Sequence, residues 1–375
     1  MRVNACLLIV CADWIRNDFL CSMWRTLLLP FSLLFGLVLR VRHFLYDQGI
    51  FKSFTPPVPS IVVGNLCLGG SGKTPMVLKI GSWLVTHKRL AFLSRGYGRK
   101  SKGFHWVELD AQPEITGDEP RLFKAAFPDA AVAVDGNRTF GIQKILHTRP
   151  KTQAIVLDDA FQHRKVKAGL NVLLIPEDSF HQDRWLVPAG KERDLWYRRN
   201  SASVVVITKC KNNMTVEEKS RIIQQVNVPK SIPVFFSVLK YDGFVSFDGL
   251  HKFSMQDLRD KQIILVTGIA DGSQLKRDLE DLGAEVQHLA FKDHYDYTQE
   301  DIGRIEENVS MFVPSDRMIL TTGKDRVKLE GKLNPKDVSH WFEIQTDLGF
   351  DREDELKNLI FSYVDTNSRD RKLYS

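Results

Sequence analysis

The chain has 375 residues, 43% hydrophobic and 26% charged, with 24 Gly and 15 Pro. That composition excludes a disordered, collagen-like or low-complexity chain, and the length points to two domains. Lys and Arg outnumber Asp and Glu by 52 to 46, an excess that suits anionic small ligands or anionic lipid but is mild for a nucleic-acid binder. Cys6, Cys11, Cys21, Cys67 and Cys210 show no metal-ligand or disulfide spacing, the usage of a reducing compartment.

Leu27 to Leu39 reads LLLPFSLLFGLVL, closed by Arg25, Arg40 and Arg42. This apolar run is short against the ~20 residues of a membrane span. Leu34, Leu37, Val38, Val41 and Leu45 continue it as a helical stripe, with Arg40, Arg42 and His43 off the stripe and Gly49 as a stop. The pattern predicts a helix lying in a membrane interface over 23–50. A core helix and a secretory h-region share the pattern, but no small-residue cleavage site follows. Residues 1–22 carry no clear pattern, and Met23 is the expected start of translation.

From Ser60 onward, Ile61–Val63, Leu90–Ser94, Ala131–Val134, Ala154–Asp158, Val172–Ile175 and Val204–Thr208 read as strands buried on both faces and separated by helices. This predicts a doubly wound, mostly parallel α/β domain over 51–232. Val234–Val238 and Phe244–Phe247 flank Tyr241-Asp242-Gly243, which predicts a hairpin linker over 233–250. Ile263–Thr267, Val286–Phe291, Met318–Thr321 and Trp341–Ile344 then predict a second, smaller α/β domain over 251–375. Leu275, Leu279 and Leu282 mark its first helix.

The chemistry begins at Cys67-Leu68-Gly69-Gly70-Ser71-Gly72-Lys73-Thr74, directly after the first strand. Small residues let backbone N–H groups converge on phosphate oxygens, Lys73 reaches the β/γ-phosphates, and Thr74 offers a hydroxyl to Mg²⁺. Cys67 stands where the strict motif has Gly; Gly69 and Gly70 supply flexibility instead. Pro75 fits a first helical turn. The strand Ala154–Asp158 ends in Asp158-Asp159, a common turn alone but a metal site beside a phosphate loop. Gln162 and His163 follow closely enough to face the same cleft. In Gly117-Asp118-Glu119-Pro120, Asp118 reads either as a helix cap or as a proton acceptor. Arg95, Arg138, Arg184 and Arg193 recur near strand ends, where paired hydrogen bonds to phosphate are useful, although each alone reads as a surface residue. Asp293-His294 lies at a later strand end, where acids could tune the imidazole. No N-K-x-D signature for guanine is present, which favours ATP.

Taken in order, LLLPFSLLFGLVLRVRHFLYDQG, VGNLCLGGSGKTP, LSRGYGR, GDEP, VLDDAFQHR, WLVPAG, VITK, FKDHYDY and TTGKDRVKL resemble the tetraacyldisaccharide 4'-kinase family, from about Leu27 to Lys328. The resemblance implies transfer of the ATP γ-phosphoryl group to the 4'-hydroxyl of a tetraacyldisaccharide 1-phosphate, giving lipid IVA. It implies that Lys73 and Thr74 bind phosphate and Mg²⁺, and that Asp158 and Asp159 form the metal pair. Asp118 becomes the base with His294 as its partner, which reverses the cap reading. Arg95, Tyr97, Arg138, Gln162, His163, Arg193 and Asp194 become acceptor-binding candidates. The family's phosphate loop also lacks the early Gly, which removes the objection at Cys67. The expected partners are the lipid acceptor and a membrane surface, with no nucleic acid, for a monomer on the cytoplasmic face of the bacterial inner membrane. Ala160, Gly323, PAGKERDL and TGIADG depart from the usual family pattern, touching the shape of the acceptor site more than the reaction. A kinase for a soluble acceptor and a membrane-recruited nucleotide switch are the alternatives.

Overall fold

The computed structural model describes residues 3–269, 272–293, 295–311 and 317–367, with side chains from residue 25 onward. A single helix, α1 (Val3–Asp47), leads into a sheet of thirteen strands. In chain order the elements of the first half are β1 (Ser60–Asn65), α2 (Lys73–Leu84), β2 (Leu90–Ser94), β3 (His105–Trp106), α3 (Pro113–Thr116), α4 (Asp118–Ala126), β4 (Ala131–Val134), α5 (Arg138–Thr148), β5 (Ala154–Asp158), β6 (Leu170–Pro176), β7 (Val204–Thr208) and α6 (Val216–Val226). The remainder are β8 (Val234–Ser246), β9 (Lys252–Phe253), β10 (Gln262–Thr267), α7 (Ser273–Asp281), β11 (Glu285–Ala290), α8 (Gln299–Ser310), β12 (Ile319–Thr322), α9 (Gly323–Leu329), β13 (Trp341–Phe350) and α10 (Glu353–Thr366).

The strand order is β11-β10-β12-β13-β8-β7-β6-β1-β5-β2-β4-β3, with β9 against β8. All ten strands expected from the sequence outside the linker are present, because runs such as Ile61-Val62-Val63 are buried on both faces and have no alternative to a central position. Strand β1 lies between β5 and β6, parallel to both, and Val63 is in register with Asp158. The acids that end β5 therefore arrive beside the loop that ends β1, at the carboxyl edge where α/β sheets bind ligands.

The linker differs from the expected hairpin. Residues 234–246 form one strand that pairs parallel with β7 at its start and antiparallel with β13 along most of its length. Asp242 is a bulge, skipped where the register passes from Tyr241–Thr346 to Gly243–Gln345, rather than part of a turn. The hairpin comes later, between β8 and β9, around Gly249 with φ 76°. The same Asp-Gly signal occurs at both places, and only the second lies beyond the reach of β13.

The expected boundary at 251 also shifts. After β13 the chain returns to the first half, where Leu356, Ile360 and Val364 of α10 join the core with Ile61, Ile80 and Phe92. The Tyr363 hydroxyl accepts from Ser60 N at 3.0 Å and donates to Ser60 O at 3.1 Å.

Helix α1 docks by its less apolar face. Ser32, Gly36, Leu39 and His43 are buried, while Leu34, Leu37, Val38 and Val41 are 50–60% exposed. The Ser32 hydroxyl donates to Leu186 O at 2.8 Å and accepts from Ala189 N at 2.9 Å. Gly36 lets Leu186 approach to 3.0 Å of where a Cβ would stand. The helical segment Arg25–Asp47, 23 residues, is long and apolar enough to cross a membrane by length and composition. The sequence expectation counted only Leu27 to Leu39, the run closed by Arg25, Arg40 and Arg42, and so found it short.

Candidate active site

The loop between β1 and α2 closes on its own polar groups. Asn65 Nδ2 donates to Ser71 Oγ at 2.6 Å, and Thr208 Oγ1 donates to Ser71 O at 3.0 Å. Gly72 has φ 80°, a left-handed conformation that caps α2 and that a side chain would strain. Leu68 N donates to Lys191 O at 2.7 Å, and Cys67 bridges Glu192, so the 186–194 loop braces the phosphate loop's first half. Burial pushes the Cys67 thiol up, with Glu192 adding to it.

Behind Lys73 and Thr74 lie the acids. Lys73 Nζ is 3.9 Å from Asp159 Oδ1, and Thr74 Oγ1 donates to Glu119 Oε1 at 3.4 Å. Arg193 holds Asp159 through both terminal nitrogens and also reaches Asn65 Oδ1. Burial would raise the Asp159 carboxyl, but Arg193, Lys73 and Arg138 outweigh it and hold it below the usual range. Asp158 differs. Its Oδ2 accepts from Ser94 Oγ at 2.8 Å, while its buried Oδ1 has no hydrogen-bond partner. Burial, then Glu119 and Asp159, push its carboxyl up to about 7. Adjacent residues thus hold one paired and one frustrated carboxylate. With the Thr74 hydroxyl they form the hard-oxygen donor set that Mg²⁺ prefers, and a cation there would relieve the frustration.

Asp118 is brought to this edge by two loops that cross at glycines. A Cβ on Gly96 would meet Thr116 O at 2.7 Å, and one on Gly117 would meet Tyr97 O at 2.9 Å. Only glycines permit this approach, which sets the Arg95–Tyr97 loop against the start of α4. Gly117 is the helix cap, without a side-chain bond, and Asp118 is the first helical residue. The residue is 9% exposed, and its carboxylate lies 3.7 Å from Lys328 Nζ.

Arg138 is buried and donates to Asp135 O at 2.6 Å and Asp158 O at 3.1 Å, fastening the acid strand from its backbone. Burial lowers its guanidinium to about 10, leaving it charged. Gln162 Nε2 donates to Asn65 O, and Arg42 Nη2 of α1 donates to Gln162 O at 2.9 Å. The His163 imidazole is lowered to about 4 by burial and by the cations Arg138, Lys165, Arg42 and Arg95. Arg42, Asn137, His163, Arg164 and Lys165 line a cavity of about 430 Å³ beneath α1. Arg95 and Tyr97 are exposed. Arg184 bonds Glu192 at 3.2 Å and lies over the Trp196 ring, a packing role. Asp194 faces α1 rather than the acids, its Oδ1 2.7 Å from His43 Nε2. His294 lies outside the described residues.

The sequence reading passed over Glu119, Asn65, Ser94 and Lys328. Glu119 was within the quoted GDEP motif, but its direction toward Thr74 depends on helical phase. Asn65 and Ser94 are strand-end polar residues, whose signal is only that they interrupt apolar runs.

The model of the family Tetraacyldisaccharide-1-P 4'-kinase (LpxK) matches residues 24–365. A tetraacyldisaccharide 4'-kinase of Flavobacterium johnsoniae is 38% identical over 82% of this chain and 88% of its own. One of Phocaeicola vulgatus is 35% identical over 91% and 96%. The crystal structure of LpxK from Aquifex aeolicus in complex with ATP superposes with a TM-score of 0.72 at 32% identity, covering 91% of this chain and 99% of that one. The chain belongs to the tetraacyldisaccharide-1-P 4'-kinase family, a family of kinases.

Proposed function

We propose that the protein transfers the γ-phosphoryl group of ATP to the 4'-hydroxyl of a tetraacyldisaccharide 1-phosphate at a membrane surface. The observation that carries the reading is Asp158: a buried carboxylate with an unpartnered oxygen, beside Lys73, Thr74 and Asp159 at the switch point of the sheet. Thr74, Asp158 and Asp159 would hold Mg²⁺, which supplies charge neutralisation on the transferring phosphate. Lys73 and the N–H groups of residues 69–74 bind the phosphates. Asp118 accepts the proton of the acceptor hydroxyl, the contribution expected of a general base in phosphoryl transfer. His294 is its partner by resemblance.

The cavity beneath α1 supports an anionic lipid acceptor, because Arg42 and Lys165 line it with no carboxylate among the described lining residues, and Arg164 beside them is paired with Asp47. The exposed leucines of α1 support the membrane. Leu27, Phe31, Leu33, Leu34, Leu37, Val38, Val41 and Phe44 are each half-exposed or more. Burying each is worth on the order of 1 kcal/mol or more, so a lipid surface takes up this face better than water. On this reading the enzyme works at the cytoplasmic face of the inner membrane, where ATP is available, and the apolar face of α1 supports the membrane contact. Two α/β units meeting at β8 and β13 would close over the bound substrates.

Purified protein with γ-labelled ATP, Mg²⁺ and the disaccharide in detergent tests the reading. Label in the lipid, lost in Lys73→Ala and strongly reduced but still measurable in Asp118→Asn, is expected. No label from folded, ATP-binding protein would overturn it in favour of a soluble acceptor or a nucleotide switch.

A further inference from the structure

The C-terminal half contributes a buried charge to the proposed base. Lys328, in the last turn of α9, is 4% exposed, and its Nζ lies 3.2 Å from Asp325 Oδ1 and 3.7 Å from Asp118 Oδ2. Asp325 is fully buried and tightly built in. Its Oδ2 accepts from Gly268 N at 3.0 Å and Thr322 Oγ1 at 2.8 Å. A Cβ on Gly268 would stand 2.8 Å from Asp325 Oδ1, so this carboxylate has a cradle that only glycine leaves open. Arg121, one helical turn after Asp118, donates to Val327 O, which fastens α4 to α9 beside the charges. The Tyr297 ring lies 6.0 Å below the ammonium.

We propose that Lys328 is a positioning residue for the transfer, holding the Asp118 carboxylate from the opposite half with Asp325 as its permanent counter-ion. The inference rests on Asp118 being the base. In the step, the acceptor O–H bond breaks and its proton goes to an Asp118 oxygen. The acceptor oxygen's electron pair forms the bond to the γ-phosphorus, and ADP leaves with the electrons of the broken P–O bond. Asp118 is anionic before the step and neutral after it. A buried ammonium paired with Asp118 alone would lose its partner at that moment, and an unpaired buried charge is strongly unfavourable. Asp325 removes the difficulty because it is held beside the ammonium at 3.2 Å by its own bonds from Gly268 N and Thr322 Oγ1, so Lys328 keeps a partner after Asp118 takes the proton. Lys328 can therefore orient the base without opposing its protonation. Because the ammonium comes from α9 and the base from α4, the base is correctly held only when the two helices are packed together.

A double-mutant cycle tests this, using wild-type, Lys328→Met, Asp118→Asn and the double variant with ATP and tetraacyldisaccharide 1-phosphate in detergent. Lys328→Met is expected to lower kcat about 10–100-fold, with the KM for ATP unchanged. In the Asp118→Asn background the same change is expected to cost less than about 3-fold, because residues acting as a unit are non-additive. Equal losses in the two backgrounds, or a change confined to KM, would overturn the proposal. Wild-type kcat in Asp118→Asn would instead overturn the base assignment beneath it. Should Lys328→Met not fold, Lys328→Arg must keep more of kcat than Lys328→Gln; equal losses from those two reject the role.

Discussion

His43 of α1 and Asp194 share a fully buried 2.7 Å hydrogen bond, one residue from the Arg193 that grips Asp159. The helix that carries the exposed leucines is thus fixed to the same short loop that braces the phosphate loop and orders the acids. Arg164 reinforces it, donating to His43 O at 3.0 Å and pairing with Asp47 at 2.6 Å. His43→Ala leaves Asp194 buried without this partner, a loss worth roughly 1–3 kcal/mol. The expected result is a lower melting temperature together with weaker ATP binding. A variant that melts earlier but binds ATP normally would show that the anchor and the acids are not linked through this loop.

Asp158 is costly to the empty protein. With its carboxyl raised to about 7, the ionised form is disfavoured in the fold but not in the unfolded chain. The penalty therefore grows as pH rises from the ordinary carboxylate range toward 7. Asp158→Asn is expected to raise the melting temperature of the nucleotide-free protein at pH 7, to change it little at pH 4, and to abolish kinase activity. Calorimetry at the two pH values, beside a label-transfer assay, checks all three outcomes.

His163 carries a pH dependence of the opposite origin. Its folded value of about 4 lies below the ordinary histidine range, chiefly from burial and then from nearby cations. Between about 6.5 and 4 the unfolded chain binds a proton that the folded one refuses, so stability falls as pH drops through that window. His163→Gln is expected to flatten that part of the stability curve. An unchanged slope in denaturant titrations between pH 7 and 5 would refute the assignment.

The two faces of α1 are expected to respond in opposite ways. Leu37→Glu, on the exposed face, should leave the unfolding free energy within about 0.5 kcal/mol of wild type and reduce sedimentation with vesicles. Ser32→Ala, on the docked face, removes hydrogen bonds to Leu186 O and Ala189 N and should cost about 1–2 kcal/mol with vesicle binding intact. Paired melting and flotation measurements read both.

Strands were legible where burial on both faces left an unmixed apolar signature, as in β1, β5 and β7, and invisible where two residues suffice, as in β3 and β9. The apolar stripe of α1 was read correctly, yet the docked residues beside it were not. Ser32 and His43 are polar, and burying them depends on Leu186 and Asp194, more than 150 residues away. The Asp-Gly pair at 242–243 looks like a turn locally, but β13 runs past it and turns it into a bulge. At the site, the phosphate loop and Asp158-Asp159 are local patterns and could be read. Lys328 is set near Asp118 only by the packing of α4 on α9, which no spacing in the sequence encodes.

Strand β8 has neighbours in both halves, β7 on one side and β13 on the other. A fragment ending near residue 232 would therefore leave the edge of β7 open along Val205, Val206 and Ile207, all fully buried in the whole chain. It would also lose α10, which covers Ile61 and Phe92. Such a piece presents an unprotected, apolar, β-branched edge, the kind that recruits further copies of itself. Dissection of this enzyme at its apparent midpoint should therefore yield aggregates, and any working two-piece version will have to keep β8, β13 and α10 on the nucleotide-binding side of the cut.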